Sequence, residues 1–493
     1  MIIDLAAWRA ARTPERPALR WRGKWLSYAE LDRRATQLAA RLHAEGVRRG
    51  DRVSILAHNH IAHLDLVLAA PKLGLVYTPL NTRLAAAEQR ELVAAVEPKL
   101  VLHDRAHELK AEGLAPRLLP LSRYASWLGK RAAPVPAPEL DDEDTCMLLF
   151  TGGSTGVPKG ARIPYRQVHG NAADTVAAWG LTADDCAIQA TPAFHAALNV
   201  LTTPLLHAGG RVDWMETFDA GDYLDRVGSA GATVLFMVPA MFQTLADHPG
   251  FDGADFSRVR FAITGGAPCP PALRERFAAR GVRFRLGFGM TECGVNCFTV
   301  TNQEAERHPD SVGRPMPGLR ALIRAPDGRA AAPGEVGELT LSGPAVFSGY
   351  FRRPAETAEA LRDGWLWTGD LARQDRSGLF YICGRRKDMY ISGGENVYPA
   401  EVEAALAQCS GVAECAVVGI PHPRWGEAGL AAVALRRGAR TTGETLRAEL
   451  KTRLAGYKVP AEFMFLKALP KTGAGKIDKP GIRVLYGERG ATA

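Results

Sequence analysis

The sequence has few cysteines, and none in the arrangement that zinc sites or thiol redox centres use. Its eight cysteines are scattered over 493 residues, and no two form a C-x-x-C pair. Cysteine-based metal sites and disulfide frameworks are therefore not expected. No apolar run reaches the roughly 18 residues that a membrane-spanning helix needs, and Asp4 interrupts the N-terminal stretch that would be apolar in a signal peptide. These absences favour a protein of the reducing cytoplasm with no integral membrane segment.

A strong charge bias is also missing. Lysine and arginine number 61 against 53 aspartates and glutamates, and the net charge of +8 contains no long basic run. The composition therefore gives little support to a nucleic-acid partner. Most of these charges are explained as solvated surface residues. The small positive excess mildly favours anionic ligands.

The length and the apolar patterning predict several α/β units. A chain of 493 residues is too long for one core, so at least two domains are expected. An amphipathic helical pattern at 28–45 precedes a strand-like run at 52–57, an alternation typical of parallel α/β sheets. A proline-rich stretch at 132–138 predicts an extended, exposed connector. From about 310 to 384, short strands such as 337–342 are separated by glycine and proline turns, which indicates a small β-rich subdomain.

The pattern changes again after Gly384. Pro399 stands at a first helical position. Thr441 and Glu444 form a capping-box pattern before a second helix, and Gly456 is a natural end for it. Leu446, Leu450 and Leu454 would form one apolar face of that helix. Two strands are also predicted here, at 413–419 and 462–466.

The sequence thus predicts an α/β protein with a distinct C-terminal part. The large N-terminal domain, 1–385, would hold two parallel-type α/β sheet subdomains and the small β-rich subdomain. A small, mobile α+β C-terminal domain, 386–493, would follow.

The segment 151–160 reads TGGSTGVPKG and is the strongest chemical signal in the chain. Its glycines let backbone N–H groups curl round an anion, and its hydroxyls and Lys159 add donors and charge. A Walker A loop would need glycine directly before the lysine and serine or threonine after it, where Pro158 and Gly160 stand. No G-x-G-x-x-G opens a helix here either. A phosphate-binding loop and a mobile Gly/Ser surface loop remain the two interpretations.

Four further motifs carry polar or charged residues on tight turns. Residues 287–292 (GFGMTE) end in a hydroxyl and a carboxylate, a pair suited to phosphate and Mg²⁺. Residues 367–370 (WTGD) offer a carboxylate that could accept hydrogen bonds from a ribose diol. Residues 384–399 mark the predicted domain boundary, and 470–477 (PKTGAGKI) carry Lys476 on a glycine-rich hairpin. Taken singly, each motif is explained equally well without a function, as a helix start, a turn cap or a solvated charge.

Together, in this order and spacing, the motifs resemble those of the adenylate-forming superfamily of acyl-CoA synthetases, peptide-synthetase adenylation domains and luciferases. The resemblance runs from about residue 5 to about residue 480 and includes 192–195 (PAFH) and 264–268 (TGGAP). Segments 393–399, 420–427 and 454–460 resemble stand-alone fatty-acyl and related CoA ligases. No carrier-protein domain follows Lys476, which favours a free thiol acceptor.

The resemblance implies a two-step reaction that uses ATP, Mg²⁺ and coenzyme A. ATP first converts a carboxylate into an acyl-adenylate with release of pyrophosphate, and a thiol then displaces AMP. Lys476, Glu292, Thr291 and His195 are the implied catalytic residues, with Glu292 as the Mg²⁺ ligand. The implied nucleotide contacts are Thr151, Gly152, Gly153, Ser154, Thr155, Gly156, Lys159, Gly265, Gly266, Ala267, Gly287, Phe288, Gly289, Met290, Thr291, Asp370, Ile382, Arg385 and Lys476.

The same resemblance places a hinge at Lys387, about which the small domain would rotate between the two half-reactions. It assigns coenzyme A binding to Ser392, Gly393, Gly394 and Glu395. The acyl pocket is predicted from positions beside the motifs: His195, Ala196, Ala197, Met237, Val238, Val295 and Asn296. Most of these are small or apolar, so we expect an uncharged tail.

Two positions depart from the family pattern. Gly152 stands where a hydroxyl residue is usual, and one possible phosphate donor is lost. Phe288 stands where tyrosine is usual, which keeps the aromatic surface and removes at most one hydrogen bond, worth about 1 kcal/mol. Neither change removes a catalytic charge.

The substrate and the acceptor thiol stay open at this point. A medium- or long-chain fatty acid is the first expectation, and an aryl acid is the alternative. Two other function classes stay open: a ligase that loads a separate carrier protein, and a noncatalytic nucleotide-binding regulator. The presence of all four charged residues argues against a loss of activity: Lys476, Glu292, Asp370 and Arg385. The expected partners are the acid, ATP and coenzyme A, and a homodimer is one of the assembly states left open.

Overall fold

The computed structural model describes residues 3–130, 132–151, 158–266, 269–472 and 476–490. The helices of this part of the chain are α1 Leu5–Arg12, α2 Tyr28–Ala44, α3 Ile61–Leu73, α4 Ala86–Val96, α5 Glu108–Ala111, α6 Tyr124–Leu128, α7 Tyr165–Trp179, α8 Thr202–Ala208, α9 Ala220–Ser229, α10 Pro239–Ala246, α11 Pro271–Ala278, α12 Asn302–Arg307, α13 Pro354–Ala360, α14 Pro399–Leu406, α15 Gly443–Lys451 and α16 Lys479–Gly490.

The strands are β1 Pro17–Trp21, β2 Lys24–Ser27, β3 Arg52–Leu56, β4 Val76–Pro79, β5 Leu100–His103, β6 Leu118–Pro120, β7 Thr145–Thr151, β8 Lys159–Pro164, β9 Cys186–Gln189, β10 Arg211–Trp214, β11 Val234–Met237, β12 Phe261–Thr264, β13 Phe284–Leu286, β14 Phe298–Thr299, β15 Arg314–Pro315, β16 Arg320–Arg324, β17 Gly337–Ser342, β18 Leu361–Arg362, β19 Trp365–Gln374, β20 Phe380–Arg385, β21 Tyr390–Ser392, β22 Glu395–Val397, β23 Val412–His422, β24 Gly426–Leu435 and β25 Glu462–Leu466.

The chain forms two compact units. The first comprises Met1–Gly266, Arg276–Ala321 and Leu341–Trp367, and the second comprises Ala267–Glu275, Leu322–Thr340 and Thr368–Ala493. The α/β character predicted from the sequence is confirmed. The boundary predicted at 385/386 follows the motif pattern and stays a prediction.

The first unit is built on parallel sheets. A six-stranded sheet has the order β6-β5-β3-β4-β7-β8, parallel except for the antiparallel β7–β8 pair. A four-stranded sheet runs β2-β1-β10-β9, and a three-stranded parallel sheet runs β11-β12-β13. Since loops that bind ligands gather at the carboxyl ends of parallel strands, this topology predicts sites after β7, β12 and β13.

Helix α2 shows how the sequence specifies these elements. The Ser27 hydroxyl accepts from the Glu30 backbone N–H, and the Glu30 carboxylate accepts from the Ser27 backbone N–H, so two free N–H groups are satisfied. Its buried residues recur at helical spacing: Tyr28, Leu31, Ala35, Leu38, Ala39, Ala40 and Leu42. This helix and the following strand β3 confirm the elements expected at 28–45 and 52–57.

The second unit contains a sheet covered on both faces. Strands follow the order β22-β21-β24-β23, with β25 paired to β24. Val417 packs on one face with residues of α14 and α15, whereas Val418 packs on the opposite face with Ile482 of α16. The period of two along β23 therefore places two helices on one side and one on the other. A further sheet, mostly in this unit, runs β16-β17-β19-β18 with β20 on β19.

The start of α15 corrects one prediction. Thr442, not Thr441, caps the helix by accepting a hydrogen bond from the Thr445 backbone N–H, so Glu444 does not reach the capping-box position. The helix ends at Lys451, before Leu454. Either threonine could cap the helix in isolation. The packing of Leu446 and Leu450 in the core decides at which of the two the helix begins.

Two further expectations can be compared with the structure. Residues 132–140 form no helix or strand, as expected of a proline-rich connector. Among the residues that the structure describes, no helix combines the length and apolarity needed to cross a membrane.

Candidate active site

The two ends of the predicted phosphate loop are held by a hairpin. Strands β7 and β8 pair antiparallel, with Thr151 opposite Lys159 and Phe150 opposite Gly160. The pairing fixes the points at which the loop leaves and rejoins the sheet. Gly152, Gly153, Ser154, Thr155 and Gly156 lie outside the described residues, so their predicted contacts stay predictions.

Tyr350 joins the loop lysine to the predicted Mg²⁺ ligand. Its hydroxyl donates a hydrogen bond of 2.9 Å to Oε1 of Glu292, a carboxylate that is only 6% exposed. The Nζ of Lys159 lies 5.2 Å from the centre of the same ring, a cation–π distance. The backbone of Tyr350 is placed by an antiparallel bridge to Ala161 of β8. One aromatic side chain, Tyr350, therefore contacts both a cation and a buried carboxylate.

No motif in the sequence indicated Tyr350, because its partners Lys159 and Glu292 are far away along the chain. The segment that carries it has neither a glycine-rich loop nor a helical period. The only local signal is the Gly349–Tyr350 pair, in which Gly349 has φ +92°.

Gln167 of α7 holds the turn that carries Thr291 and Glu292. Its Nε2 donates a hydrogen bond of 2.8 Å to the carbonyl oxygen of Thr291. Thr291–Cys293 form a short 3-10 turn, and the backbone N–H of Phe347 donates to the Glu292 carbonyl at 2.9 Å. The turn is thus fixed by side chain and backbone together. Gln167 was also missed at the sequence level, where it reads as an ordinary polar residue of a helix.

The predicted adenine segments approach each other closely. Parallel strands β12 and β13 end side by side, and the Gly287 backbone N–H donates to the Thr264 carbonyl at 2.8 Å. A Cβ on Gly265 would lie 2.8 Å from the Gly287 carbonyl oxygen, so no larger residue fits there. Phe288 packs edge-to-face on Phe298 at 5.8 Å. The result is a close backbone contact beside an aromatic ring; Ala267 lies outside the described residues.

A small cleft lies beside Thr291. Ala196 and Val295, two of the predicted acyl-pocket residues, line it. The other lining residues are Leu149, Ile163, Gln167, Val168, Asn171, Asn199, Thr291 and Gly294. Gln167, Asn171 and Asn199 make it more polar than the sequence-based pocket.

The remaining pocket predictions lie elsewhere or serve the fold. His195 packs on Phe194 at 4.5 Å, Met237 is fully buried at the end of β11, and Val238 is 37% exposed. The Asn296 amide donates 3.0 Å hydrogen bonds to Thr175 Oγ1 and to the Val200 carbonyl, so its donors are used inside the protein. The side chain of Ala197 is not described.

In the second unit, the predicted ribose residues are paired. Asp370 of β19 lies opposite Arg385 of β20, and Arg385 Nε is 2.8 Å from Asp370 Oδ1. Asp370 is buried, whereas Arg385 is 44% exposed at its side chain. Glu338 accepts from the Gly369 backbone N–H at 3.1 Å and pairs with Arg386 at 2.9 Å. Ile382 lies in β20, three residues before Arg385, and pairs with Ala372 of β19.

The predicted hinge and catalytic lysine lie on short turns of the same unit. Lys387 is the exposed middle residue of a 3-10 turn, Arg386–Asp388, between β20 and β21. Lys476 is exposed and closes a hairpin, since its carbonyl accepts from the Thr472 N–H at 2.7 Å and Lys471 pairs with Ile477. Residues 473–475 lie outside the described part.

Lys479 connects these two turns. It lies three residues after Lys476 and is 2.8 Å from Glu403 and 3.9 Å from Asp388. The start of α16 is therefore tied both to α14 and to the turn that contains Lys387.

The predicted coenzyme A segment is a tight β-hairpin. Ser392 and Glu395 pair across Gly393 and Gly394, whose φ angles are +61° and +89°. Two consecutive positive φ values are characteristic of a type I′ turn and require glycine-like residues. The Gly393 N–H also donates to the Trp425 carbonyl at 3.0 Å, which fixes the hairpin against the neighbouring loop.

All eight cysteines are free, and six are buried. Burial raises the pKa of Cys186, Cys269, Cys383 and Cys409 to about 11 and that of Cys415 to about 12. Burial also raises the pKa values of Cys146 and Cys293.

Comparisons with known proteins identify the family of this chain. The family model described as AMP-binding enzyme matches residues 6–351, and the AMP-binding enzyme C-terminal domain matches residues 401–476. The chain is 41% identical to a feruloyl-CoA synthase of Amycolatopsis sp over 98% of this chain and 99% of that one. It is 33% identical to a long-chain-fatty-acid–CoA ligase of Mycobacterium tuberculosis, covering 94% of this chain and 93% of the relative.

Among solved structures, the o-succinylbenzoate CoA synthetase of Bacillus subtilis in complex with its acyl-adenylate intermediate superposes with a TM-score of 0.90. The two chains are 29% identical, and the match covers 97% of this chain and 98% of that one. A further structure of that synthetase holds ATP and a magnesium ion. With both family models matched in order and full-length relatives that are CoA ligases, this chain belongs to the AMP-binding, adenylate-forming enzymes and is an AMP-forming acid–thiol ligase.

Proposed function

We propose that the protein activates an aromatic carboxylic acid as its acyl-adenylate and transfers the acyl group to coenzyme A. The observation that carries the proposal is the cluster on Tyr350, which brings the loop cation Lys159 and the buried carboxylate of Glu292 together. The preference for an aromatic acid is supported by the 41% identity to a feruloyl-CoA synthase.

The residues present fit a magnesium ion. Mg²⁺ is usually held by one or two carboxylates together with substrate phosphates and water, and Glu292 is a buried carboxylate beside the phosphate-loop hairpin. When bound with ATP, the ion would neutralise charge on the phosphates. Tyr350 would keep the Glu292 carboxylate oriented through its hydrogen bond.

In the first half-reaction, an anionic carboxylate must approach an anionic α-phosphate. Positive charge and hydrogen-bond donors concentrated there lower the barrier. We assign this role to Lys476 and Thr291, and we assign to Lys159 and the loop the holding of the departing phosphates. The backbone at Gly265 and Gly287, with Phe288 beside it, would contact the adenine.

The ribose and the acceptor thiol are assigned to the second unit. Asp370 would accept hydrogen bonds from the ribose hydroxyls, and its ion pair with Arg385 orients the carboxylate. The hairpin at Ser392–Glu395 is proposed to contact the pantetheine arm in the second half-reaction. The eight free cysteines support a reducing compartment, so we place the reaction in the cytoplasm.

A long-chain fatty acid is the second candidate substrate, favoured by the apolar side chains along the cleft and by the M. tuberculosis relative. The distinguishing experiment is a panel of ferulate, cinnamate, decanoate, palmitate and acetate, assayed for pyrophosphate and AMP release with and without coenzyme A. We expect aromatic acids to exceed acetate by at least tenfold in kcat/KM, about 1.4 kcal/mol. If acetate is the best substrate, the assignment of an apolar acyl pocket is wrong. If AMP release needs a carrier protein instead of coenzyme A, the assignment of coenzyme A as the acceptor is wrong.

A further inference from the structure

The segment 420–427 (IPHPRWGE) takes no part in the function proposed above. In the structure it contains the turn between β23 and β24, and this turn lies against the hairpin of β21 and β22. That hairpin carries Ser392–Glu395, the proposed contact with the pantetheine arm. The contacts between the two turns therefore bear on how coenzyme A is bound.

The hairpin of β21 and β22 is weakly joined to its sheet. Each of its strands has 3 residues, and β22 is an edge strand. In the described part of the chain, β21 pairs with β24 at one position, Ser392 with Gly426. A short two-stranded hairpin is marginally stable by itself, so further contacts are needed to hold its turn in one place.

Two hydrogen bonds extend this pairing, one on each side of it. The Gly393 N–H donates to the Trp425 carbonyl oxygen at 3.0 Å, as in a regular ladder. Because hydrogen-bonded pairs alternate in an antiparallel ladder, the next such pair would be Ile391 with Glu427. There the Ile391 N–H donates instead to the side-chain Oε2 of Glu427, at 2.9 Å. A carboxylate thus takes the place of the main-chain acceptor.

The bond between Ile391 and Glu427 lies near the surface. Ile391 is 48% exposed and Glu427 is half-buried. A hydrogen bond from an N–H to a carboxylate is charge-assisted and stronger than a neutral one. If the acceptor is lost, water can solvate the N–H, so no buried donor is left unpaired. The bond therefore acts on the position of the turn more than on the stability of the fold.

The turn itself presents mainly backbone to a ligand. Gly393 and Gly394 are exposed, whereas Ser392 is 3% exposed. A ligand that approaches the turn meets the backbone of the two glycines rather than the Ser392 side chain. Backbone contacts depend on where the whole hairpin lies, since no flexible side chain can compensate for a displaced turn.

We propose that Glu427 is a positioning residue for coenzyme A. Through its hydrogen bond to the Ile391 N–H, it holds the turn 392–395 where the pantetheine arm can bind. This inference rests on the proposed function and adds to it a residue that acts in the second half-reaction. Adenylation does not use this turn, so its rate should not depend on Glu427.

The test measures the two half-reactions of Glu427→Ala separately, with ATP, Mg²⁺ and the acid of the substrate panel that has the highest kcat/KM. We expect the KM for coenzyme A to rise by about tenfold, the effect of losing one hydrogen bond to a charged group. ATP–pyrophosphate exchange, which reports adenylation without coenzyme A, should stay at the parent rate. Coenzyme A is a polyanion, so loss of an acidic side chain would lower this KM if charge alone mattered.

Three matched variants accompany Glu427→Ala. Glu427→Gln keeps an acceptor at the same length and should keep the parent KM for coenzyme A. Glu427→Asp keeps the charge but withdraws the carboxylate from the N–H, so it should raise the KM as Glu427→Ala does. Glu449→Ala removes a carboxylate that accepts from the Ser410 N–H at 3.3 Å, next to the opposite end of β23, and should leave the KM unchanged. A thermal melt establishes folding, and Glu427→Asp decides the outcome if Glu427→Ala is unfolded.

The outcomes separate this inference from the proposed function. A parent-like KM for coenzyme A in folded Glu427→Ala or Glu427→Asp would overturn the inference and leave the ligase function intact. An equal loss in adenylation and thioester formation would also overturn it, because the role would then be structural. A Glu427→Gln enzyme as impaired as Glu427→Ala would exclude the hydrogen bond as the cause. Absence of coenzyme A-dependent AMP release by the parent with every acid of the panel would instead contradict the proposed function.

Discussion

Tyr350 uses the two ends of one side chain for two oppositely charged groups. The phenol hydroxyl binds the Glu292 carboxylate, and the ring face lies next to the Lys159 ammonium. A cation over an aromatic face gains about 0.5–1 kcal/mol at exposed sites, and a hydrogen bond to a charged acceptor gains about 1.5–3 kcal/mol. The hydroxyl should therefore matter more than the ring contact.

Tyr350→Phe separates these two contributions, because it keeps the ring and removes the hydroxyl. Loss of a charged hydrogen bond predicts a fall of about 10- to 100-fold in kcat/KM for adenylation, with a higher Mg²⁺ concentration needed for half-maximal rate. ATP–pyrophosphate exchange measured across a Mg²⁺ series gives both quantities.

A matched control for this variant is Tyr381→Phe. The Tyr381 hydroxyl donates to Asp375 Oδ2 at 3.0 Å, a similar bond outside the proposed site. It should leave the Mg²⁺ dependence unchanged. If Tyr350→Phe behaves like Tyr381→Phe, Tyr350 does not orient Glu292 for catalysis.

Among single residues, the sequence allows functional residues within motifs to be predicted, but not those that lie between the motifs. Glu292, Asp370 and Lys476 each stand in a short glycine-rich pattern that local chemistry can interpret. Tyr350 and Gln167 have no such pattern, because they act across long sequence separations that only the β8 bridge and the packing of α7 create.

At the scale of elements, one carboxylate ties together the ends of two parallel strands. Strand β3 pairs with β5, and Asp104 follows β5 directly. Its Oδ2 accepts from the His58 N–H at 2.9 Å, and its Oδ1 accepts from the His107 N–H at 3.0 Å. The His58 and His107 rings lie 3.0 and 2.6 Å from the same oxygens. Asp104 thus caps the turn 105–107 and joins it to the end of β3.

These contacts predict a pH-dependent contribution to stability. Burial alone would raise the pKa of Asp104, but hydrogen bonds from His107 and from the His58 backbone hold the pKa well below its ordinary value. A depressed carboxyl pKa stabilises the fold above the unfolded-state pKa of about 3.9, and the contribution is lost as pH falls below that value.

Asp104→Asn should therefore lower the free energy of unfolding by about 1–2 kcal/mol at pH 7, with a smaller difference from the parent at pH 3.5. Asparagine still caps the turn, so the loss reports the charge. Urea unfolding followed by circular dichroism at the two pH values measures it. An equal loss at both pH values would show that the carboxylate charge plays no part.

Elements with strong periodicity could be predicted from the sequence, and their exact limits could not. Helix α2 and strands β17 and β25 lie where the patterns indicate. The first residue of α15 differs by one position because Thr441 and Thr442 are equally good caps in isolation, and the buried positions of Leu446 and Leu450 decide between them.

At the scale of the whole molecule, the proposed chemistry is divided between two units. Glu292, Thr291 and Lys159 lie in the first, whereas Asp370, Arg385 and Lys476 lie in the second. The sequence motifs predicted a boundary and a hinge at Lys387, and the structure places that residue on an exposed 3-10 turn. A rotation about this turn remains our proposal, since sequence patterns describe a segment and not its alternative conformations.

Lys387→Pro tests the rotation, because proline fixes φ near −65° and should hold the turn in one orientation. If the adenylating orientation is trapped, pyrophosphate is released for one turnover, acyl-adenylate accumulates and little thioester forms. Single-turnover assays with and without coenzyme A measure the two half-reactions separately.

Lys476→Ala is the complementary variant and should show the reverse pattern, with adenylation lost and thioester formation from supplied acyl-adenylate retained. A circular dichroism melt must first show that Lys387→Pro is folded. A folded Lys387→Pro enzyme that completes the full reaction at the parent rate would exclude rotation about this residue.

The burial of the cysteines bears on a hazard of the reaction itself. An acyl-adenylate is an electrophile that any accessible thiolate can attack. Because burial raises the pKa of these thiols, to about 11 for Cys269, they are almost entirely protonated at neutral pH. Self-acylation by the buried thiols is thus disfavoured, so the intermediate is preserved for the incoming thiol. For the same reason, a single cysteine introduced on the surface could be labelled selectively with a fluorophore.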